Sequence, residues 1–372
     1  MNAADAFEVR LAGPADEPEI RALVAATPMP GAVAIRFARE PDYFLGATIM
    51  GDPCDVVVVR DRRAGRLAGF GCRAERRAFL NGRETRIGYI GQIRAAEGYR
   101  GRWLVQRAMA WLRERGPAGM LYVGVVAREN PRARELLVGR RAPGAPVRAR
   151  LAGLTTCAIL LRPRRPSRAP GLTIEPGAPA TIPEIVAFLR REGPRRQLFP
   201  AYGVEDFTGG RTLRGLAPED VAVARREGAV VGVMAAWDQT AYKQDVVEAY
   251  GPALRRLRPA YDLLARAIGA RPLTPPGEAI PLAFAACTCV AGDDPAVMRA
   301  LLDACAARAR ERGGAFLMLG LADEDPLLAV ARRWLHVTYH SDLFALAWGA
   351  DPATDPLTDL DGRVPYIEIA TL

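Results

Sequence analysis

An α+β chain arranged as two consecutive domains is what this sequence predicts, on three observations. Its 372 residues are too many for one compact hydrophobic core. Near the middle, Arg162-Pro163-Arg164-Arg165-Pro166-Ser167-Arg168-Ala169-Pro170-Gly171 interrupts the apolar pattern. Pro removes backbone donors there, and the Arg cluster belongs in solvent. A weak internal repeat spans this break: FEVRLAGPADEPEIRAL (7–23) against LTIEPGAPATIPEIVAF (172–188). At an offset of 165, Pro14/Pro179, Ala15/Ala180, Pro18/Pro183, Glu19/Glu184, Ile20/Ile185 and Ala22/Ala187 coincide. The predicted division is 1–162, a linker 163–171, a second domain 172–348 and a tail 349–372.

Each repeat opens as a short strand, a turn and a helix with Pro and an acid in its first turn. A hairpin follows in each half, 55–61 with 66–76 around Gly65, and 221–226 with 230–238 around Gly228. Apolar and β-branched residues dominate these runs, and the connections are short. The first half continues with a strand over 85–96 and a helix over about 101–115, with Leu104, Ala108, Met109, Trp111 and Leu112 on its apolar face. A strand over 120–126, a helix from Pro131 and a strand near 155–161 complete it. The second half adds a helical stretch over about 244–268, then a strand 280–290, helix 295–312, strand 316–321, helix 326–333 and strand 337–348. The tail ends in an apolar, strand-like run, 364–372, predicted to dock as a strand. Antiparallel strands followed by strand–helix–strand–helix–strand is an α+β order, with a mixed, mostly antiparallel sheet flanked by helices in each domain.

Composition narrows the class. Half of the residues are apolar and a quarter charged, as in soluble globular proteins. No run of about 18 apolar residues predicts a membrane span, and MNAADAFEVR has neither a basic nor an apolar leader region, so a cytoplasmic location is expected. Cys54, Cys72, Cys157, Cys287, Cys289 and Cys305 form no CxxC pair and read as reduced, buried thiols. With His336 and His340 the only histidines, no metal site is predicted. The net charge of +9 divides into +14 over 1–168 and −5 over 169–372, and Lys243 is the only lysine. A basic first half suits an anionic ligand such as a coenzyme phosphate. No basic helix or aromatic-interleaved stripe predicts nucleic acid.

The run RIGYIGQIRAAEGYRGRWLVQRAMAWL (86–112), with this order of elements, resembles the GNAT superfamily, the general-control-related N-acetyltransferases. The resemblance implies two tandem GNAT-like domains, the first holding an acyl-coenzyme A. Ile93, Arg94 and Ala95 would form the strand end that pairs with pantetheine. Arg100, Gly101 and Arg102 match the opening of the phosphate turn, and Trp103, Leu104 and Val105 carry it into the helix. Orphan N–H groups and a positive dipole end hold a pyrophosphate there. Trp103 and Val105 depart from the family's small residues; the indole either covers the ligand or anchors the helix. Asn130 and Arg134, in Glu129-Asn130-Pro131-Arg132-Ala133-Arg134-Glu135, resemble an Asn-x-x-Ala segment that contacts the coenzyme arm. Asn130 reads equally as a helix cap. Leu137 stands where the family often has a tyrosine acid. In the second half, Asp293 and Asp294 at the equivalent helix start would repel a pyrophosphate, so that domain resembles one without a coenzyme site.

The activity implied is direct acyl transfer, with acetyl-CoA as cosubstrate, to an amine of a small molecule or peptide. The rival reading is a non-catalytic ligand-binding protein of the same fold. Candidate catalytic groups are Glu75 and Tyr89, expected to face the acceptor, and the terminal carboxylate of Leu372, which acts as a base in multi-GNAT enzymes of the enhanced-intracellular-survival type. Their plain alternatives are a solvated ion pair, a core tyrosine and an extra strand. His336, Thr338, His340 and Asp342 would share one strand face, lining an acceptor cleft or the surface.

Overall fold

The structure is a computed structural model and describes residues 6–100, 104–117, 119–138, 146–167, 169–348, 357 and 359–372. The first repeat folds as β1 (Phe7–Leu11) and α1 (Glu17–Ala25), with Pro18 in the first turn, where no N–H is needed. Next come β2 (Val33–Ala38), α2 (Tyr43–Ala47) and a meander of β3 (Cys54–Asp61), β4 (Arg66–Leu80) and β5 (Arg83–Ala95). Asp42 caps α2 by accepting from Phe44 N (2.8 Å) and Leu45 N (3.3 Å). Then follow α3 (Leu104–Arg115), β6 (Tyr122–Ala127), α4 (Pro131–Val138) and β7 (Val147–Leu160).

The second half repeats the plan: β8 (Leu172–Pro176), α5 (Ile182–Glu192), α6 (Val204–Thr208), β9 (Val221–Arg226) and β10 (Ala229–Asp238). It continues with β11 (Gln244–Tyr250), α7 (Pro252–Ala267), β12 (Leu282–Val290), α8 (Pro295–Glu311), β13 (Phe316–Ala322), α9 (Leu328–Ala331) and β14 (His336–Ala347). The helix expected over 244–268 starts only at Pro252, because the alternating residues before it pair as β11 with β2. The short elements β2, α2 and α6 carry too little periodicity to be predicted from sequence.

The mixed, mostly antiparallel sheet is present, but as one continuous twelve-stranded sheet in the order β1-β3-β4-β5-β6-β14-β7-β13-β12-β10-β9-β8. Only β5/β6 and β12/β13 are parallel neighbours. The order is palindromic about its centre, so each half supplies its last strand to the other. β7 pairs with β13, and β14 lies between β6 and β7. The predicted docking strand at the tail is corrected: its described part makes one bridge, Pro365 to Gln197, and ends in a 3-10 turn over Ile369–Thr371. Helices cover both faces. Tyr43, Ile20 and Leu23 pack with Val58, Tyr89 and Val123 on one; Met109 and Leu112 of α3 pack on Tyr122 and Leu346 on the other. No helix of the described residues is long and apolar enough to cross a membrane.

Asp342 of β14 locks the exchange. It is buried and accepts from Arg128 Nε (2.9 Å) and Arg150 Nε (3.0 Å), with Arg134 Nε at 3.4 Å. Burial opposes its charge, but the bonds from Arg128 and Arg150 win and hold the carboxyl below its ordinary range. Asp342→Ala should therefore lower stability by about 2 kcal/mol, since these arginines are partly exposed. Urea titration measures it. A lowered folded pKa contributes above the unfolded value and is lost as pH falls, so the gap between parent and variant should close below about pH 4.

Candidate functional site

The first half's parallel strands touch briefly and then part. β5 and β6 are in register only at Gly88 with Tyr122 and Tyr89 with Val123. Beyond that point β5 is bulged, with Gln92 in the left-handed region (φ 55°), and among the described residues no strand pairs with its β6-facing edge. Ile93, Arg94 and Ala95 lie on this splayed end, as the sequence predicts; Ile93 is exposed. An open extended edge offers backbone donors and acceptors to an extended ligand. The second half repeats the geometry: β12 and β13 are parallel over Leu282–Phe284 and then part, with Cys287 left-handed (φ 53°).

The second splay is filled by the chain's own tail. Glu368 is buried and accepts from Cys287 N (2.8 Å), Tyr366 OH (2.9 Å) and Tyr202 OH (3.2 Å). Ile369 lies over Gly320 of β13, where a Cβ would collide with it. Burial pushes the Glu368 carboxyl above its ordinary value despite these donors. Asp294 caps α8 through Ala296 N (2.8 Å), and Asp293 pairs with Arg196 (2.6 Å), so the two acids act as local structure. The filling of this splay by the tail was not revealed by the sequence.

From Glu368 the tail runs to the parting point of β5 and β6. Ala370 O accepts from Lys243 Nζ (2.8 Å) and Gln239 Nε2 (2.9 Å), Thr371 O from Arg76 Nη2 (2.9 Å), and a terminal carboxyl oxygen of Leu372 from Arg39 Nη2 (3.4 Å). The Arg76 guanidinium lies 4.6 Å from the Tyr89 ring centroid. Leu372 itself is partly exposed. Tyr43, Cys72 and Arg94 share this face: Tyr43 Oη is 3.6 Å from Cys72 Sγ and its ring packs edge-on against Phe70, which stands opposite Arg94. Burial raises Tyr89 to about 12 and Tyr43 well above its usual value, so both keep their protons at neutral pH. Burial, with Arg39 next, pulls Lys243 down.

Of the sequence candidates, Tyr89 and Leu372 lie on this face, linked through Arg76, whereas Glu75 lies on the other. Strand alternation turns it away from Ala74 and Arg76, and it is buried in ion pairs with Arg73 and with Arg86 (2.9 Å). Arg73 in turn reaches Asp55 (2.9 Å) and Tyr122 Oη (3.4 Å), on the α3 side. Arg100 is exposed; Gly101, Arg102 and Trp103 lie outside the described residues. Leu104 packs on Val59, Ala68 and Tyr99, and Val105 against the Met109 cluster. Asn130 Oδ1 accepts from Ala133 N (3.1 Å), the capping geometry, and Arg134 is spent on Asp342. His336 Nδ1 meets Trp334 O (2.6 Å), and His340 Nδ1 lies 3.4 Å from Thr155 Oγ1. Arg39, Arg76, Gln239 and Lys243 were not foreseen. Lys243 was conspicuous as the sole lysine, but no local pattern tied any of the four to a distant terminus.

No family model and no curated protein matches the chain. Solved structures do. A GCN5-related N-acetyltransferase from Sphaerobacter thermophilus is similar over 99% of both chains at 15% identity, with a TM-score of 0.55. Saccharomyces cerevisiae N-myristoyltransferase with bound myristoyl-CoA is similar over 99% of this chain and 86% of that one, at 9% identity and a TM-score of 0.60. The shared feature is the fold: this chain has the tandem GNAT-like architecture.

Glu368 carries a pH signature. Its folded pKa is raised, so its contribution is present below the unfolded value, about 4.3, and lost as pH rises through the folded one. The stability of Glu368→Gln relative to the parent should rise between about pH 5 and about pH 8. Denaturant midpoints at the two pH values measure it, and an unchanged difference would place the Glu368 carboxyl outside the interior.

Proposed function

We propose that the protein is an acyl-coenzyme A dependent N-acyltransferase, with residues 1–162 holding the coenzyme and the terminal carboxylate of Leu372 serving as general base. One observation carries this reading: the end of the chain is bound by Arg39 and, through Thr371, by Arg76 beside Tyr89, where β5 and β6 part. The named activities of the structural neighbours, one of them bound to myristoyl-CoA, support it. Acetyl-CoA is the first donor to test.

The chemistry follows from the geometry. Pantetheine extends along the open edge of β5 at Ile93–Ala95, and the phosphates meet Arg100, Gly101, Arg102 and the start of α3. An ammonium acceptor gives its proton to the Leu372 carboxylate. The neutral nitrogen attacks the thioester carbonyl, whose developing charge is stabilised by backbone N–H groups of β5. The C–S bond breaks, and the thiolate takes a proton from the protonated Tyr89 or from water. Cys72, a thiol on this face, is buried and raised to about 11, which suits direct transfer rather than an acyl-enzyme. The acceptor is an amine of a small molecule or peptide. The second reading, a binding protein without turnover, is favoured by Trp103 and Val105 standing where small residues are expected.

Calorimetric titration with acetyl-CoA and longer acyl-CoAs tests the coenzyme site. We expect micromolar binding that is lost in a Gly101→Glu, Arg102→Glu double variant; no binding of any acyl-CoA or of free coenzyme A would overturn the reading. Extending the chain by two glycines moves the carboxylate off Arg39. It should lower kcat by roughly 100-fold or more while acyl-CoA affinity stays within about twofold. Turnover unaffected by the extension would remove Leu372 as the base.

A further inference from the structure

The face that receives the chain terminus holds more positive charge than the chain balances. Arg39 is 2% exposed, and its Nε has no hydrogen-bond partner; the Nε of Arg94 is likewise buried and unpartnered. Among the described residues, the hydrogen bonds of Arg39 go to Ala38 O (3.4 Å) and the Leu372 carboxyl, and that of Arg94 to Ile93 O (3.2 Å). Among the described residues, no side-chain carboxylate forms an ion pair with either guanidinium. Arg76 is spent on the carbonyls of Met50 and Thr371, and Lys243 on that of Ala370. Among the described residues, the nearby Asp245 and Glu368 bond neither guanidinium, and burial raises both carboxyls above their ordinary range.

An arginine cannot shed its charge, and a buried unpaired charge costs several kcal/mol. The fold nonetheless makes room for this one. α2 crosses the Arg39 side chain at Gly46, where a Cβ would collide with Arg39 and with Tyr242 O. Arg94 projects beside Phe70 and Tyr43 and is partly exposed, so the cluster reaches solvent at the splay. Arg39 also holds the Leu372 carboxyl. Arg94 stands opposite Phe70, whose partner ring is Tyr43, so an amine docked on that carboxyl shares its face with two guanidinium groups that have donors to spare. Guanidinium groups recognise carboxylates.

We propose that the acceptor is an α-amino acid, or a molecule ending in one, with its ammonium at the Leu372 carboxylate and its own carboxylate against Arg39 and Arg94. This rests on the N-acyltransferase reading above. The competing source of the same chemistry is a carboxylate on the acyl group, as in succinyl-CoA.

The test uses matched pairs that differ only in the charge. The twenty amino acids and their primary amides serve as acceptors with acetyl-CoA and with succinyl-CoA, followed by thiol release. The N-acetyl amino acids and their amides serve as ligands in calorimetry without coenzyme. For at least one side chain, the acid should bind and react at least tenfold better than its amide. Arg94→Gln, at a partly exposed position, should bring acid and amide to within about threefold, as should Gly46→Ala, which displaces Arg39 without removing it. Acids and amides indistinguishable across the panel would overturn the proposal, and so would an acid preference that survives both variants. A preference for succinyl-CoA over acetyl-CoA, with no acid preference in the acceptor, would assign the carboxylate to the donor and overturn it too. A tenfold acid preference in calorimetry from a protein that binds no acyl-CoA would leave a carboxylate site at Arg39 and Arg94 but overturn the acceptor role together with the transferase reading.

Discussion

The rest of the structure depends on β14 lying between β6 and β7. β5 and β6 share only two register pairs, so they do not position each other. β6 is held from its other side, where Tyr122–Ala127 pair with β14, and β14 is held in turn along the length of β7. The opening between β5 and β6 is therefore fixed by a strand from the opposite end of the chain. The Asp342 cluster of arginines pins that strand where β6, β7 and α4 meet. Neither half could present a splay of defined width without the other's last strand.

The same exchange sets the path of the tail. β14 lies on the first half's side of the sheet, and the described end of the tail, from residue 359, lies against both splays. Tyr366, Glu368 and Ile369 fill the second splay, and the terminus emerges at the first. One segment thus closes one of two similar openings and equips the other. The Glu368 hydrogen bonds hold the segment from one side, and the Ala370 and Thr371 carbonyls hold it from the other through Lys243, Gln239 and Arg76. Lys243 and Arg76 fix the Ala370 and Thr371 carbonyls and Arg39 reaches the Leu372 carboxyl, while the buried Nε of Arg39 and of Arg94 has no hydrogen-bond partner.

Much of the fold was legible because it is written in local patterns. Pro18 and Pro183 marked the two helix starts, alternating β-branched residues marked the hairpins, and the Arg86–Ala133 region carried the turn that pointed to the fold. Leu372 was legible as a candidate only through that resemblance. Strand alternation alone did not say which face of β4 Glu75 takes. Its pairing with Arg73 and Arg86 answers that, and no run of sequence announces it. The tail was misread as a strand because its apolar alternation fits one, whereas side chains, not a neighbouring ladder, supply its partners.

Residue order and composition were enough for most element types and the duplication, since each is a property of a few neighbouring residues. The exchange of β7 and β14, the filled second splay and the meeting of Arg39, Arg76, Arg94 and Lys243 around residue 372 join positions up to 333 apart. Hydrophobic periodicity does not encode such pairings. They follow from how two similar halves bury their parallel strands, and from the need of each buried donor and charge for a partner that only the folded chain brings near.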